Sequence, residues 1–401
     1  MSAQPRDVVI LSAARTPTGR FQGNLASLPA PRLGAIAIQA AVQRAGLADL
    51  AAVDEVLMGN VVLAGEGQAP ARQAAILAGL PASVGATTVN KVCGSGMKAL
   101  MFAAQAIRAG DGDLFVVGGM ESMSRAPFLV DGRTGSLRYG HAQLTDALLH
   151  DGLWDPFENW AMGSAGEFIA EAYEITRPEM DQFALASHQK AIAATDAGKF
   201  QAEIVPIELP GRKGETIRCD ADETPRRDTT LEALAKLKPA FQPDGKVTAG
   251  NAPSLSDGAA AMVAASRAKA AELGLSPLAR LVSYTQAAVE PKWLFDAPAY
   301  AIPRLLKKTG WNMSDVDLIE LNEAFAAQAL ANGRALASSG WDWAKVNVNG
   351  GAIALGHPIG ASGARIICTL IYALRERRLR RGIACLCLGG AEATAVAIEI
   401  E

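Results

Sequence analysis

An internal repeat constrains the fold of this chain more strongly than any other sequence feature. Residues 53–60 (VDEVLMGN) resemble residues 316–323 (VDLIELNE), at an offset of 263 residues (316 − 53). Residues 94–98 (GSGMK) resemble residues 361–365 (ASGAR), at an offset of 267 residues (361 − 94). In both copies a helix-like stretch follows, and then a short apolar segment that ends in Gly-Gly. A long offset that drifts slowly predicts two related halves rather than a solenoid of short repeats.

The pattern within each half predicts an α/β fold. Short apolar segments alternate with longer helical patterns, which is typical of sheets buried between helices. The pattern lapses between the halves, where polar turns surround amphipathic stretches at 178–199 and 231–238. Loops inserted into a rigid scaffold commonly carry substrate contacts. We therefore predict an N-terminal half of residues 1–121 and 247–272, an inserted loop domain of residues 122–246, and a C-terminal half of residues 273–401.

Composition excludes several classes of function. A net charge of −3 gives no general reason to expect nucleic acid or an anionic membrane as a partner. No apolar run reaches the length of a membrane span, and the four histidines are too scattered to form a metal site. Strand-like sequence at 7–11 leaves no room for a signal peptide. The five cysteines form no secreted-type framework, and unpaired thiols favour a reducing compartment, so we expect a cytoplasmic protein.

Cys93 is the first candidate catalytic residue. It precedes Gly94-Ser95-Gly96 and a helical pattern over 97–108. The N-terminus of a helix carries positive potential, which lowers the pKa of a thiol and favours the nucleophilic thiolate. The alternative is a buried, inert cysteine at a strand–helix turn.

His357 is the second candidate, because it lies in a loop between two glycine clusters. A neutral imidazole can take a proton from a thiol, and its N–H can stabilise an oxyanion. The alternative is a structural histidine in a turn. His141, His150 and His188 lie in the polar insertion, where surface or helix roles are expected.

A third group of candidates lies at the ends of predicted strands. Cys387 comes directly before the turn Leu388-Gly389-Gly390, whose backbone N–H groups are suited to form an oxyanion hole with that of Cys93. Cys385 points to the same face as Cys387, since side chains alternate along a strand, and the spacing does not choose between the two thiols. Asn322 has two readings as well, either the cap of a helix or the ligand of an active-site water.

These motifs together resemble the thiolase family over nearly the whole chain. Residues 12–19 resemble its N-terminal segment, and residues 92–96 match its acyl-accepting cysteine motif. Residues 322–326 (NEAFA) match its asparagine motif, and residues 356–363 (GHPIGASG) match its histidine motif. Four motifs in order are far more specific than any one of them.

The resemblance implies a role for each candidate. Cys93 would carry the acyl group after activation by His357, and Cys387 would remove or return the α-proton. His357 and a water held by Asn322 would form one oxyanion hole, and the N–H groups of Cys93 and Gly389 would form the other. The implied reaction is ping-pong: condensation of two acetyl-CoA to acetoacetyl-CoA and CoA, or its thiolytic reversal.

The resemblance also implies a fold, an assembly and a set of substrate contacts. The fold would be two related α/β halves with stacked mixed sheets and helices plus an inserted loop domain, assembled as a homodimer or homotetramer. CoA and acyl-CoA would be substrates, with no covalently bound cofactor, and fatty acid metabolism would be the setting. Departures from the family pattern, such as Pro253 in place of a serine, leave the chain-length preference open. The candidate CoA contacts are Arg226, Met162, Ala252, Pro253, Leu234 and Phe241.

Three other functions compete with a short-chain thiolase. A broad-range degradative 3-ketoacyl-CoA thiolase would share all four motifs. A decarboxylating ketoacyl synthase shares the two-half architecture, but it does not combine a catalytic cysteine with a second cysteine base, so Cys387 argues against it. A non-catalytic acyl-CoA- or lipid-binding relative is disfavoured because Cys93, His357, Asn322 and Cys387 are all present.

Overall fold

The computed structural model describes residues 4–133, 137, 139–211 and 214–401. The strands are Val8–Arg15 (β1), Gly19–Arg20 (β2), Glu55–Gly59 (β3), Gly85–Val89 (β4), Leu114–Ser122 (β5), Phe128–Leu129 (β6), Thr145–Asp146 (β7), Trp154–Asp155 (β8), Trp160–Ala161 (β9), Ile207–Pro210 (β10), Thr216–Cys219 (β11), Ser256–Ser266 (β12), Ala279–Ala288 (β13), Leu318–Leu321 (β14), Arg381–Leu388 (β15) and Glu392–Ile400 (β16).

The α-helices are Ala30–Ala45 (α1), Pro70–Leu77 (α2), Ser95–Ala109 (α3), Met162–Ala172 (α4), Arg177–Asp196 (α5), Leu231–Ala235 (α6), Arg267–Glu272 (α7), Ala297–Thr309 (α8), Ala326–Ala335 (α9), Ala352–Leu355 (α10) and Ile359–Glu376 (α11). Short 3-10 turns lie at Asn24–Ser27, Leu50–Ala52, Met123–Arg125, Pro291–Asp296, Met313–Asp315, Ala337–Ser339 and Trp343–Lys345, and Leu148–Leu153 forms a π-helix.

The main sheet contains the same strand order twice. Its path is β4-β3-β5-β12-β1 in the first half and continues through β13-β16-β15-β14 in the second, with β2 paired to β12. In the first half β1 pairs with β12, β12 pairs with β5, and β5 runs parallel to β3. In the second half β13 pairs with β16, β16 pairs with β15, and β15 runs parallel to β14. Val346 makes a parallel bridge to Ile319, at the place that β4 occupies in the first half. The predicted α/β fold of two related halves is therefore confirmed.

The two halves also share an irregularity in their strands. The pairing of β1 with β12 shifts register between Ile10 and Ser12, and that of β13 with β16 shifts between Leu281 and Ser283. A bulge inserts one extra residue and increases the local twist of a strand. Its occurrence at matching places extends the similarity of the halves from sequence to backbone geometry.

Two central helices join the halves. Apolar side chains of α3 and α11 pack together between strands of the first half and strands of the second, whereas α1 and α2 cover the outer face of the first half and α8 that of the second. The helices cross closely at their N-terminal turns. A Cβ added at Gly96 would lie 2.9 Å from the Ala364 nitrogen, and one at Gly363 would lie 2.5 Å from the Met97 nitrogen. The glycines are needed there because a side chain would separate the helices.

The segment between the halves adds helices and short strand pairs beside the sheet. Helix α5 begins at a capping box in which Glu179 N–H donates to the Thr176 hydroxyl and the Thr176 N–H donates to the Glu179 carboxylate. Helices α5 and α6 fall within the two amphipathic stretches recognised in the sequence. Helix α4 packs against α9 and the Pro291–Asp296 turn, which brings the segment next to the second half. Across the described residues, no helix has the length and apolar character needed to cross a membrane.

Candidate active site

Cys93 lies in a strained turn between β4 and α3. The residue before it, Val92, has φ = +46°, a conformation that a β-branched side chain strongly disfavours and that costs about 1–3 kcal/mol. Ser95 holds the turn, because its hydroxyl accepts from the Lys91 N–H at 2.8 Å and donates to the Val92 carbonyl at 2.6 Å. The residue Cys93 as a whole is only partly buried, and it faces a cavity from the tip of this turn.

His357 is held in one tautomer. The Ser362 hydroxyl donates to the Pro358 carbonyl at 2.8 Å, so its free lone pair accepts from the His357 Nδ1–H at 2.5 Å. Nε2 is left with its lone pair available as a base. Burial lowers the pKa of His357 to about 3, helped by the nearby charge of Arg365, so the ring is neutral at physiological pH.

Asn322 is next to this imidazole. Its Nδ2 lies 3.4 Å from His357 Nε2, and its backbone N–H donates to the Cys385 carbonyl at 3.0 Å. In the described part of the chain, nothing donates to its buried Oδ1. Helix α9 begins at Ala326, with Phe325 at the cap position. The alternative that Asn322 caps this helix is therefore wrong, and its free oxygen is suited to hold a water.

The structure distinguishes the two neighbouring thiols of β15. Cys387 lines the cavity that Cys93 faces, whereas Cys385 is buried in an apolar cluster beneath α8. Burial raises the pKa of Cys387 well above its ordinary range, and the nearby Cys93 and Cys385 raise it further. The Cys387 thiol is therefore neutral, and only Cys387 of the pair on β15 can meet a substrate.

The expectation that the helix terminus makes Cys93 a thiolate is wrong. Burial raises the pKa of Cys93 to about 12, although the N–H groups of Gly389 and of Cys93 itself point at the sulfur and offset part of that rise. The cost of an ion in an apolar cavity exceeds the effect of the helix terminus. Both N–H groups therefore approach the same sulfur, and they are the pair of donors that was predicted to form an oxyanion hole.

The cavity has a volume of about 180 Å³ and an apolar lining. Of the predicted site residues, the structure places Cys93, His357, Cys387, Gly389, Met162, Phe241, Ala252 and Pro253 on its wall. Leu234 is buried outside it, where a Cβ on Gly250 would meet its Cδ2 at 2.5 Å. Arg226 is exposed, and its Nη2 donates to the Ala249 carbonyl at 3.0 Å. Leu234 and Arg226 both contact the segment that leads to Ala252. Asn322 is not on the wall either, and it lies next to the site through its contact with His357.

Sequence reasoning missed a buried carboxylate beneath the site. Glu121 accepts from Asn60 Nδ2 at 3.0 Å and from the N–H groups of Val61, Val62 and Gly360 at 3.1, 3.2 and 2.9 Å. It therefore ties the first half to the helix that follows His357. Burial raises its pKa to about 7. Its signal in the sequence was an acidic residue within an apolar strand, which is rare unless the charge is paired or hydrogen-bonded.

Other missed residues have weaker signals in the sequence. Ser362 sets the His357 tautomer, but a serine in a glycine-rich helix start is unremarkable. Leu294, Phe295 and Phe325 form part of the cavity wall. Large apolar residues are frequent in any core, so only the fold shows that these three face a cavity.

Comparison with known proteins shows the class to which this fold and site belong. A family model described as "Thiolase, N-terminal domain" matches residues 8–268, and one described as "Thiolase, C-terminal domain" matches residues 275–400. The chain belongs to the thiolase family, as the sequence motifs indicated.

Similar proteins share one name. A relative from Pseudomonas aeruginosa called acetyl-CoA acetyltransferase is 56% identical over 98% of this chain and 99% of its own length. A relative of the same name from Cupriavidus necator is 53% identical over 98% and 99%. Among solved structures, the Bacillus anthracis acetyl-CoA acetyltransferase superposes with a TM-score of 0.95 at 43% identity, covering 100% of both chains. The enzyme of that name from Syntrophomonas wolfei gives 0.96 at 43% identity over 99% and 100%.

Proposed function

We propose that this protein is an acetyl-CoA C-acetyltransferase that condenses two acetyl-CoA to acetoacetyl-CoA and CoA, and catalyses the reverse thiolysis. The observation that carries the proposal is the convergence of Cys93, Cys387 and His357 on one apolar cavity. Membership in the thiolase family and the shared name of similar proteins support it.

The first half-reaction transfers an acetyl group to Cys93. As the sulfur attacks the thioester carbonyl carbon, His357 Nε2 takes the thiol proton, and the N–H groups of Cys93 and Gly389 stabilise the oxyanion. The bond to the CoA sulfur then breaks, and Cys387 gives its proton to that sulfur. Because Cys93 and His357 are both neutral before the reaction, proton transfer accompanies the attack rather than preceding it.

The second half-reaction forms the carbon–carbon bond. The Cys387 thiolate removes an α-proton from a second acetyl-CoA, and the enolate oxygen is stabilised by His357 Nε2–H and by a water on Asn322 Oδ1. The α-carbon attacks the acetyl-Cys93 carbonyl carbon, the bond to the Cys93 sulfur breaks, and that sulfur recovers its proton from His357. All three side chains return to their neutral starting forms, so atoms and protons balance over the cycle.

We further propose that the chain consists of an N-terminal half of residues 1–121 and 247–272, an inserted domain of residues 122–246, and a C-terminal half of residues 273–401. The inserted domain would position the CoA chain. Met162, Phe241, Ala252 and Pro253 would contact pantetheine, since they line the cavity beside the thiols. Arg226 and Leu234 would lie further along the CoA molecule, beside the segment that leads to Ala252. CoA serves as substrate in this scheme, with no covalently bound cofactor.

The cellular setting is also proposed. We expect a cytoplasmic homotetramer that acts in fatty acid metabolism on small acyl-CoA molecules, without a nucleic acid or membrane partner. The five free thiols support a reducing compartment.

The test is CoA-dependent cleavage of acetoacetyl-CoA by the purified protein, with acetyl-CoA quantified as the product. Cys93→Ala should abolish cleavage and the acetyl-enzyme seen by intact-mass spectrometry, while Cys219→Ala, a cysteine distant from the cavity, should retain both. Absence of cleavage by the unmodified protein would refute the proposed activity. An acetyl-enzyme on the Cys93→Ala variant would refute the assignment of the nucleophile.

A further inference from the structure

The walls of the cavity come from two separate apolar clusters. Cys387 packs in an apolar cluster with Leu294, Phe295 and Phe325. Cys93 packs against a second cluster, whose buried members include Met123, Val62 and Ile359, and Leu153 packs against the same cluster. The acyl-accepting sulfur and the second thiol thus pack against different clusters, although both line the same cavity.

The tetrahedral intermediate on Cys93 relates these walls to the substrate. Its central carbon has four substituents: the Cys93 sulfur, the oxyanion, the attacking α-carbon, and the remainder of the acyl chain. The oxyanion points towards the N–H groups of Cys93 and Gly389, and the α-carbon arrives from the side of Cys387. Gly389 and Cys387 both lie at the end of β15. The acyl chain takes the remaining direction, away from β15 and towards the second cluster.

A π-helix closes the cavity in that direction. Residues Leu148–Leu153 form a single π-helical stretch, a rare conformation that is frequently found at functional sites. Leu149, Gly152 and Leu153 of this helix line the cavity together with Ile359. Leu149 is exposed, whereas Leu153 packs against the same apolar cluster as Cys93. A Cβ added at Gly152 would lie 3.0 Å from Ile359 Cδ1, so the helix is packed directly on the start of α11. The acyl chain cannot pass between the helix and α11.

We propose that Leu153, presented by this π-helix, limits the length of the acyl chain that Cys93 accepts and restricts the enzyme to short, straight 3-oxoacyl-CoA substrates. The inference rests on the proposed thiolase activity and adds a residue that determines its specificity. Leu153 is half-buried, with one side on the cavity, so a smaller side chain there enlarges the acyl end of the pocket without removing a fully buried group.

The experiment compares kcat/KM for acetoacetyl-CoA and for 3-oxohexanoyl-CoA, which is two methylene groups longer, in the unmodified protein and its variants. Leu153→Ala should raise the ratio of long to short substrate about tenfold, the size expected for moving two methylenes from water into an apolar pocket. Leu153→Phe should lower the ratio, and Leu153→Val should raise it by less than Ala does. The matched control is Leu148→Ala, because Leu148 is in the same π-helix but does not line the cavity.

The ratio separates specificity from general damage, since a loosened fold slows both substrates. A rise with Leu153→Ala and none with Leu148→Ala supports the assignment. An unchanged ratio in both Leu153→Ala and Leu153→Val, beside an active unmodified protein, overturns it and leaves the thiolase activity standing. An equal rise with Leu148→Ala also overturns it, because disruption of the helix would then be the cause. If the unmodified protein cleaves neither substrate, both the inference and the proposed function fail.

Discussion

Removal of the Ser362 hydroxyl should slow the reaction without weakening substrate binding. Ser362→Ala deletes the acceptor that lies 2.5 Å from His357 Nδ1. The Nδ1–H would be left buried without a partner, at a cost of about 1–3 kcal/mol. The ring avoids that cost by moving its proton to Nε2, and in that tautomer it no longer takes the proton of Cys93. Since 1.36 kcal/mol corresponds to a factor of ten in rate, kcat should fall about 5- to 150-fold.

The assay is steady-state thiolysis of acetoacetyl-CoA, with kcat and KM measured separately. KM should change little, because Ser362 is fully buried and is not part of the cavity wall. The matched control is Thr369→Val, which removes another buried hydroxyl from the same helix, one that donates to Glu203 at 3.2 Å instead of contacting His357. A kcat for Ser362→Ala within twofold of the control would show that this hydrogen bond does not set the tautomer.

Three more predictions concern the thiols and the helix crossing. Cys387→Ala should reduce exchange of the acetyl-CoA α-protons with deuterated solvent far more than it reduces the rate of Cys93 acetylation. Cys385→Ala should leave the exchange unchanged. Equal loss of both steps in Cys387→Ala would show that the base is another residue. Alkylation of Cys93 by iodoacetamide should rise about tenfold per pH unit from pH 7 to 10, because a pKa of about 12 keeps the thiolate fraction small and proportional to hydroxide; a plateau near pH 8 would contradict this. Gly363→Ala should lower the free energy of unfolding by about 1–3 kcal/mol, because its side chain would overpack the crossing of α3 and α11. Denaturant titration measures the change, and the control is Gly85→Ala, whose added Cβ meets only Glu55 Cγ at 3.9 Å. Equal stability of the two variants would contradict the close approach of the two helices.

The fold was predictable because its signals are local and repeated. Buried strands are short apolar runs, and the helices that cover them have a different periodicity, so the strands and helices of each half can be predicted from the sequence. The glycines at 96 and 363 were visible as part of the motifs, although only the crossing of α3 and α11 explains why a side chain is excluded there. The pairing of strands and its direction were not predicted, because neighbouring strands of the sheet are often far apart along the chain.

The site was predictable in part for the same reason. Cys93 and His357 are each surrounded by their own glycine motif, and the residues that shape these turns are close in sequence. The choice between Cys385 and Cys387 was not local, because both point to the same face of β15 and only the cavity distinguishes them. Glu121 and Gly360, 239 positions apart, show the same limit, since their hydrogen bond exists only once the halves are assembled.

The sequence by itself determined the two α/β halves, the turns that carry Cys93 and His357, and the resemblance to thiolases, since each depends on residues adjacent along the chain. The tertiary structure alone decided the protonation of the site. A helix terminus predicts a lowered pKa for Cys93, yet burial raises it to about 12, because desolvation depends on every element packed around the sulfur. It also decided which side chains face the substrate. The direction in which a side chain points and the depth at which it is buried depend on how the sheet and helices pack, so a local sequence pattern does not determine them.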